Sequence, residues 1–258
     1  MKSYFKKLSS ADPRIISEGI EELEAELKID PGEEELSLMF DALSSLFYVD
    51  TFDRPDLRTV RDEAQRVIAS MGPKAIPLIL ARLENTDLKA ELVFAQTCGL
   101  MGDKAISTLI ESYDQRREAI FRSFILYAFG KIRSAKIVDA LPIVLQAVKS
   151  PSRELEDTAV RALGKICESI DPGDVNAEMK EEIFYALSKK LTHPNDVIRS
   201  KAVRSLGKLV RFGFTDNLQN DYLRSKISDI LGLEEGQTWD FAYLVRREAQ
   251  EVRKYLGK

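Results

Sequence analysis

The chain has 258 residues, 44% of them hydrophobic and 31% charged, an ordinary globular composition with enough apolar mass for a sizeable core. Its formal net charge of -4 excludes a protein that grips duplex DNA or an anionic membrane with its whole surface, so only a local basic patch could serve such a partner. No apolar run approaches the roughly 18 residues of a membrane span, and Lys2, Lys6 and Lys7 have no apolar stretch behind them, so neither a span nor a signal peptide is expected.

The first predicted element is a helix near Pro13 to Lys28, which would cover the open end of whatever follows. Leu36, Phe40, Leu43 and Phe47 then fall on one side of a second helix. From there a pattern recurs, with reference positions at Arg61, Glu91, Arg122, Glu156, Arg199 and Arg246. One position earlier stand Val60, Ala90, Phe121, Leu155, Ile198 and Val245. Three later stand Ala64, Phe94, Ile125, Ala159, Ala202 and Ala249. Seven later come Ile68, Cys98, Phe129, Leu163 and Leu206, with Arg253 breaking the column. Ten later come Met71, Met101, Ile132, Ile166, Leu209 and Leu256.

Apolar residues at -1, +3, +7 and +10 mark one helix face. Position +8 holds Ala69, Gly99, Gly130, Gly164 and Gly207, which fits the close approach of a neighbouring backbone. The copies are 30, 31, 34, 43 and 47 residues apart, a growth expected to lie in the loops. A shorter amphipathic helix precedes each copy. Three open alike, at Ala75-Ile76-Pro77, Ala105-Ile106-Ser107 and Ala140-Leu141-Pro142, and others lie around Ile183–Leu191 and Leu223–Leu231.

The segment Val197-Ile198-Arg199-Ser200-Lys201-Ala202-Val203-Arg204-Ser205-Leu206-Gly207-Lys208-Leu209 resembles a HEAT repeat, in particular the short type of the phycobilisome lyases. Thr158-Ala159-Val160-Arg161-Ala162-Leu163-Gly164-Lys165-Ile166 is similar to the same motif. The likeness runs from about Leu36 to Gly257 and is weaker in the copies at Glu91 and Arg122. It implies an all-α, right-handed α-α superhelix, a solenoid of about six HEAT-like hairpins with an N-terminal capping helix. The expected organisation is one domain over 1–258: a cap in 1–34, main repeats in 35–211, and a last repeat with long loops in 212–258. The resemblance also implies a scaffold or adaptor whose second helices line the binding surface.

Chemistry is harder to find. The single histidine, His193, sits in the turn Thr192-His193-Pro194-Asn195, where capping residues belong. Cys98 and Cys167 occupy core columns on separate repeats, as buried free thiols suited to a reducing cytoplasm. One histidine excludes the His-Glu iron sites of HEAT-like hydroxylases. The pairs Gly130-Lys131, Gly164-Lys165 and Gly207-Lys208 lack the glycine that a P-loop needs five positions earlier, where Ile125, Ala159 and Ala202 stand. No catalytic residue, metal ligand or cofactor is expected.

Two features suit binding. A cation ladder has Arg66, Arg161 and Arg204 at +5 and Lys131, Lys165 and Lys208 at +9, with Lys201 and Arg211 on the same side. Residues 131–211 carry 15 Lys and Arg against 11 Asp and Glu, whereas 12–41 carry 2 against 11, so a basic stretch contrasts with an acidic start. The ladder is either a seat for an acidic protein segment or phosphates, or the ordinary exposed surface of such repeats. Aromatic residues assigned to the late loops, Phe212, Phe214, Tyr222, Trp239 and Phe241, either anchor a partner or plug the last repeat.

The reading is a cytoplasmic, non-catalytic module for a protein or peptide partner, an acidic one where the ladder is used, with no membrane and no nucleic acid. Two alternatives follow from the resemblance. One is a chromophore handler like the phycobilisome lyases. The other is a HEAT-like alkylpurine DNA glycosylase, which needs tryptophan, aspartate and arginine in a basic cleft, whereas Trp239 is the only tryptophan here.

Overall fold

A computed structural model describes residues 2–234 and 239–256. Among the described residues there are fourteen α-helices and no strand, in two compact units, Met1–Ser112 and Tyr113–Lys258. No described helix is long and apolar enough to cross a membrane.

The first unit holds α1 (Ser3–Leu8), α2 (Pro13–Leu27), α3 (Glu33–Ser44), α4 (Arg58–Ser70), α5 (Ala75–Arg82) and α6 (Leu88–Met101). The helix α7 (Asp103–Gln115) carries the chain across the boundary. The second unit continues with α8 (Ala119–Phe129), α9 (Leu141–Val148), α10 (Arg153–Cys167), α11 (Ala177–Ser188), α12 (Asp196–Arg211), α13 (Asn217–Leu231) and α14 (Tyr243–Leu256). Every reference position of the repeat lies on an even-numbered helix, from α4 to α14. These second helices lie side by side, α2, α4 and α6 in the first unit and α8, α10, α12 and α14 in the second.

The repeat columns explain that layer. Positions -1 and +3 are buried in all six copies, and +7 is buried in the five that hold an apolar residue there. Each large aliphatic side chain so placed contributes about 1.5–3 kcal/mol relative to exposure. Helix starts follow local chemistry. Asp12 accepts the N–H of Arg14 ahead of Pro13, Asp87 accepts that of Ala90, and Asn195 those of Val197 and Ile198. Gly72 and Gly102 follow equivalent methionines and reverse the chain into α5 and α7 at φ of 62° and 60°, where a Cβ would be strained.

Three expectations change. The segment 1–34 holds two helices, because Tyr4 and Leu8, four residues apart, bury one face of α1 against α2. The period does not grow in the loops alone, because the first helices differ in length as well, with 8 residues in α5 and α9, 13 in α7, 12 in α11 and 15 in α13. Tyr222 lies inside α13 and not in a loop, because Asp216 and Gln219 form a capping box that starts the helix at Asn217.

Candidate functional site

Neighbouring second helices of the second unit come close at the +8 glycines, most of all at Gly164. A Cβ on Gly164 would lie 2.8 Å from the Cα of Ser205, so α10 and α12 touch there almost backbone to backbone. Ser205 donates its hydroxyl to the carbonyl of Val160 at 2.9 Å across the same seam. This proximity brings the polar edges of neighbouring second helices within reach of one another.

Four of the ladder cations are bound to carboxylates. Arg204 makes a two-pronged contact with Glu248 on α14, at 2.8 and 2.6 Å. Hydrogen bonds from Arg204, working against burial, hold the Glu248 carboxyl below its usual range. Lys201 on α12 pairs with Asp157 on α10. Lys165 and Lys208 share Glu168 at 2.9 and 2.8 Å. Burial lowers Lys208 to about 8 despite that partner, with Lys165 nearby adding to the effect. Burial would raise Glu168, but hydrogen bonds from Lys208 and then Lys165 bring it down to about 2.

Others keep their charge free of carboxylates. Lys131 lies 4.8 Å and Arg161 5.4 Å from the centre of the Tyr127 ring, and neither has a carboxylate partner among the described residues. Arg211 lies over Phe212 and Tyr255 at 5.4 and 5.7 Å. Trp239 is half exposed, stacks on Arg246 at 4.4 Å, and sits against Gly232, the left-handed cap of α13. Of the other late aromatics, Phe214 is buried, Tyr222 meets Phe184 edge to face, and Phe241 is 87% exposed.

Sequence reasoning missed the reference arginines, although their recurrence in four of six copies was a visible signal. In the second unit they clamp the loop ahead of their own helix. Arg122 donates to the carbonyls of Tyr113 and Arg116 at 3.3 and 2.9 Å. Arg246 donates to that of Asp240 at 2.6 Å. Arg199 donates to the carbonyls of His193 and Pro194, and grips the Asp240 carboxylate through Nε and Nη2 at 2.7 and 2.9 Å. At the equivalent place Glu156 is buried against Lys190 at 2.5 Å and His193 at 3.3 Å. His193 Nδ1 also accepts the N–H of Asn195, so the lone histidine holds a turn.

Arg61 departs from that pattern. Its Nη1 reaches the Thr51 hydroxyl and its Nη2 reaches Asp62, both at 3.2 Å, while its buried Nε–H has no partner among the described residues. Arg61 lines an open groove of about 810 Å³ where the loop after Val49 meets the first turns of α4 and α6. Phe52 at 90% exposure and Leu92 at 37% give the groove apolar surface. Arg58 also lines it and has no carboxylate partner among the described residues, while Lys89 is tied to Asp50. Cys98 and Cys167 are buried, and burial pushes both thiols up to about 12, which removes them as nucleophiles at neutral pH.

No protein-family model matches the chain, and no curated protein matches it in sequence. Among solved structures it is similar to the complex of CpcE and CpcF of phycocyanin lyase from Nostoc sp. PCC7120. The TM-score is 0.55 and the identity 15%, over 69% of this chain and 98% of that one. It also aligns with a designed armadillo repeat protein in complex with the peptide (KR)4, at a TM-score of 0.45 and 15% identity over 98% of each chain. An engineered protein aligns at a TM-score of 0.45 and 17% identity, over 98% of this chain and 95% of that one.

Proposed function

We propose that this HEAT/armadillo-like helical repeat is a non-catalytic binding module that holds a protein or peptide on the surface of its second helices. The observation that carries the proposal is the open groove in which Phe52 and Leu92 expose apolar surface beside Arg58, an exposed cation with no carboxylate partner among the described residues. At the position equivalent to Arg61, Arg199 takes the Asp240 carboxylate through Nε and Nη2. Arg61 instead meets Asp62 through Nη2 at 3.2 Å and its Nε is closed to solvent, so the cation left to receive a partner's carboxylate is Arg58 at the mouth of the groove.

Phe52 and Leu92 would seat an apolar side chain next to that carboxylate. The occupant is therefore a peptide segment that sets an Asp or Glu beside an aromatic or branched aliphatic residue. Apolar anchoring supplies affinity, and the charges steer association and fix register.

In the second unit, Lys131, Arg161 and Arg211 are the ladder residues suited to face a partner, and Trp239 offers its open ring face. Lys201, Arg204 and Lys208 already act between helices, and Lys165 shares Glu168 with Lys208, so their first role is to fix the spacing of that surface. The likeness to a phycocyanin lyase extends to the fold alone, and no feature of the groove favours a chromophore over a peptide.

A peptide-display selection against the whole protein tests this. Enriched peptides should carry the acidic–apolar pair and lose affinity about tenfold or more with Phe52→Ala, Leu92→Ala or Arg58→Gln. The same peptides should bind unchanged to Leu38→Ala, which alters an exposed apolar residue on α3. Peptides that ignore all three groove substitutions would refute the proposal.

A further inference from the structure

A second site lies in the second unit and stands on its own geometry, independent of the groove. Between the end of α8 and the middle of α10 is a cavity of about 70 Å³, lined by Lys131, Arg133, Arg161 and Lys165 together with Tyr127 and Thr158. Four cations border a space the size of one small polyatomic group, and no carboxylate lines it.

Only Lys165 is neutralised, by Glu168. Arg133 is held in place by the carbonyl of Lys165 at 3.4 Å and by the Ser169 hydroxyl, neither of which carries charge. Among the described residues, Lys131 and Arg161 have only the Tyr127 ring as partner. Thr158 faces the hydroxyl of Ser123 at 3.0 Å, which leaves a hydroxyl at the wall able to turn to a ligand.

An internal comparison shows how unusual this is. Arg161 and Lys165 occupy positions +5 and +9 of α10, as Arg204 and Lys208 do on α12. Like charges four residues apart on a helix repel by about 0.2–0.5 kcal/mol. On α12 that repulsion is offset, because Glu248 from α14 takes Arg204 and Glu168 takes Lys208. For Arg161, the position corresponding to Glu248 is Lys201, which pairs with Asp157 instead. The same arrangement is thus closed by a carboxylate in one repeat and left open in the preceding one, with Lys131 and Arg133 added. The carbonyl end of α8 offsets part of the Lys131 charge, but not the charges of Arg133 and Arg161.

We infer that this cavity binds a single phosphate group through Lys131, Arg133 and Arg161. A phosphate monoester fits better than a carboxylate on three counts. It carries close to two negative charges at neutral pH, it offers three oxygens to three separate cations, and it can accept from the Thr158 hydroxyl as well. The cavity, at about 70 Å³, has room for one such group.

Titration calorimetry with inorganic phosphate in chloride buffer tests the assignment on the whole protein. Wild type should show one saturable site. Arg161→Gln and Lys131→Ala should each weaken it about tenfold or more, with melting little changed because neither side chain is paired with a carboxylate among the described residues. Arg66→Ala, an exposed cation of the same column on α4, and Phe52→Ala in the groove should leave phosphate binding intact. The inference is overturned by heat that does not saturate, by equal affinity in Arg161→Gln, or by equal weakening in Arg66→Ala. A phosphoserine peptide separates the two sources of the group. Tighter binding than phosphate assigns a phosphorylated protein segment, and equal binding assigns free phosphate. An unphosphorylated peptide that binds as well as its phosphoserine form overturns the inference.

Discussion

Glu168 shows how much a single side chain can do in a stacked repeat. It receives Lys165 from its own helix and Lys208 from the next, which brings it to about 2 from an ordinary 4.5. The unfolded chain therefore takes up a proton here at a higher pH than the folded protein does. The stability Glu168 contributes is complete above about pH 4.5 and is lost as pH falls toward 2. Lys208 acts at the other end of the scale. It releases its proton near 8 in the folded state against 10.5 when unfolded, so its contribution becomes more favourable as pH rises between those values. Urea denaturation of Glu168→Gln across pH 2 to 7 should give a flatter acid limb than wild type, and Lys208→Met a flatter alkaline limb between pH 8 and 10.5. Parallel curves for wild type and Glu168→Gln would show that the carboxylate is not held as described.

At the scale of the helix, the decisive feature is the seam between α10 and α12. Alanine at Gly164 would gain about 1 kcal/mol of helix propensity but would press a methyl against the backbone of Ser205. A backbone cannot yield as a side chain can, so overpacking of about 1–3 kcal/mol prevails. Thermal melting should therefore place Gly164→Ala below wild type. Gly207→Ala meets only the side chain of Val252 and should be largely rescued by Val252→Ala. A Gly164→Ala protein that melts at or above wild type would mean that the seam is looser than described.

The seam was legible in the sequence, because the small residue at +8 recurs in five copies at a fixed distance from the apolar columns. The second helices were legible for the same reason. What could not be read was the pairing of the charges across the seam. Arg204 meets Glu248 from 44 residues away, and Lys201 meets Asp157 from the same distance. Repeats separated by 30 to 47 residues offer no single spacing at which to look for such partners. The short α1 stayed hidden because six residues give barely more than one turn of periodicity. The open groove was hidden too, since it depends on how the loop after Val49 passes the ends of α4 and α6.

At the scale of the whole chain, charge is distributed by segment. The acidic start is partly neutralised locally, with Lys2 bonded to Glu26 and Glu35 and Lys7 to Glu18 and Glu22. The basic stretch from Lys131 to Arg211 spends several of its cations between neighbouring helices and leaves Lys131, Arg161 and Arg211 without carboxylates among the described residues. Surface charge that is already paired contributes little to binding, so the residues left unpaired mark where a charged partner is met.

Photo-crosslinking from defined positions tests the central claim, that partners bind on the second helices, most directly. A photoreactive residue would replace Arg66, Gln96 or Arg204 on second helices, or the exposed Leu38, Tyr185 or Leu218 on first helices. With a peptide from the display selection, crosslinks should form from Gln96, beside Arg61 and Leu92, and fall away as salt rises. Crosslinks confined to Leu38, Tyr185 or Leu218 would place the partner on the opposite layer and contradict the account.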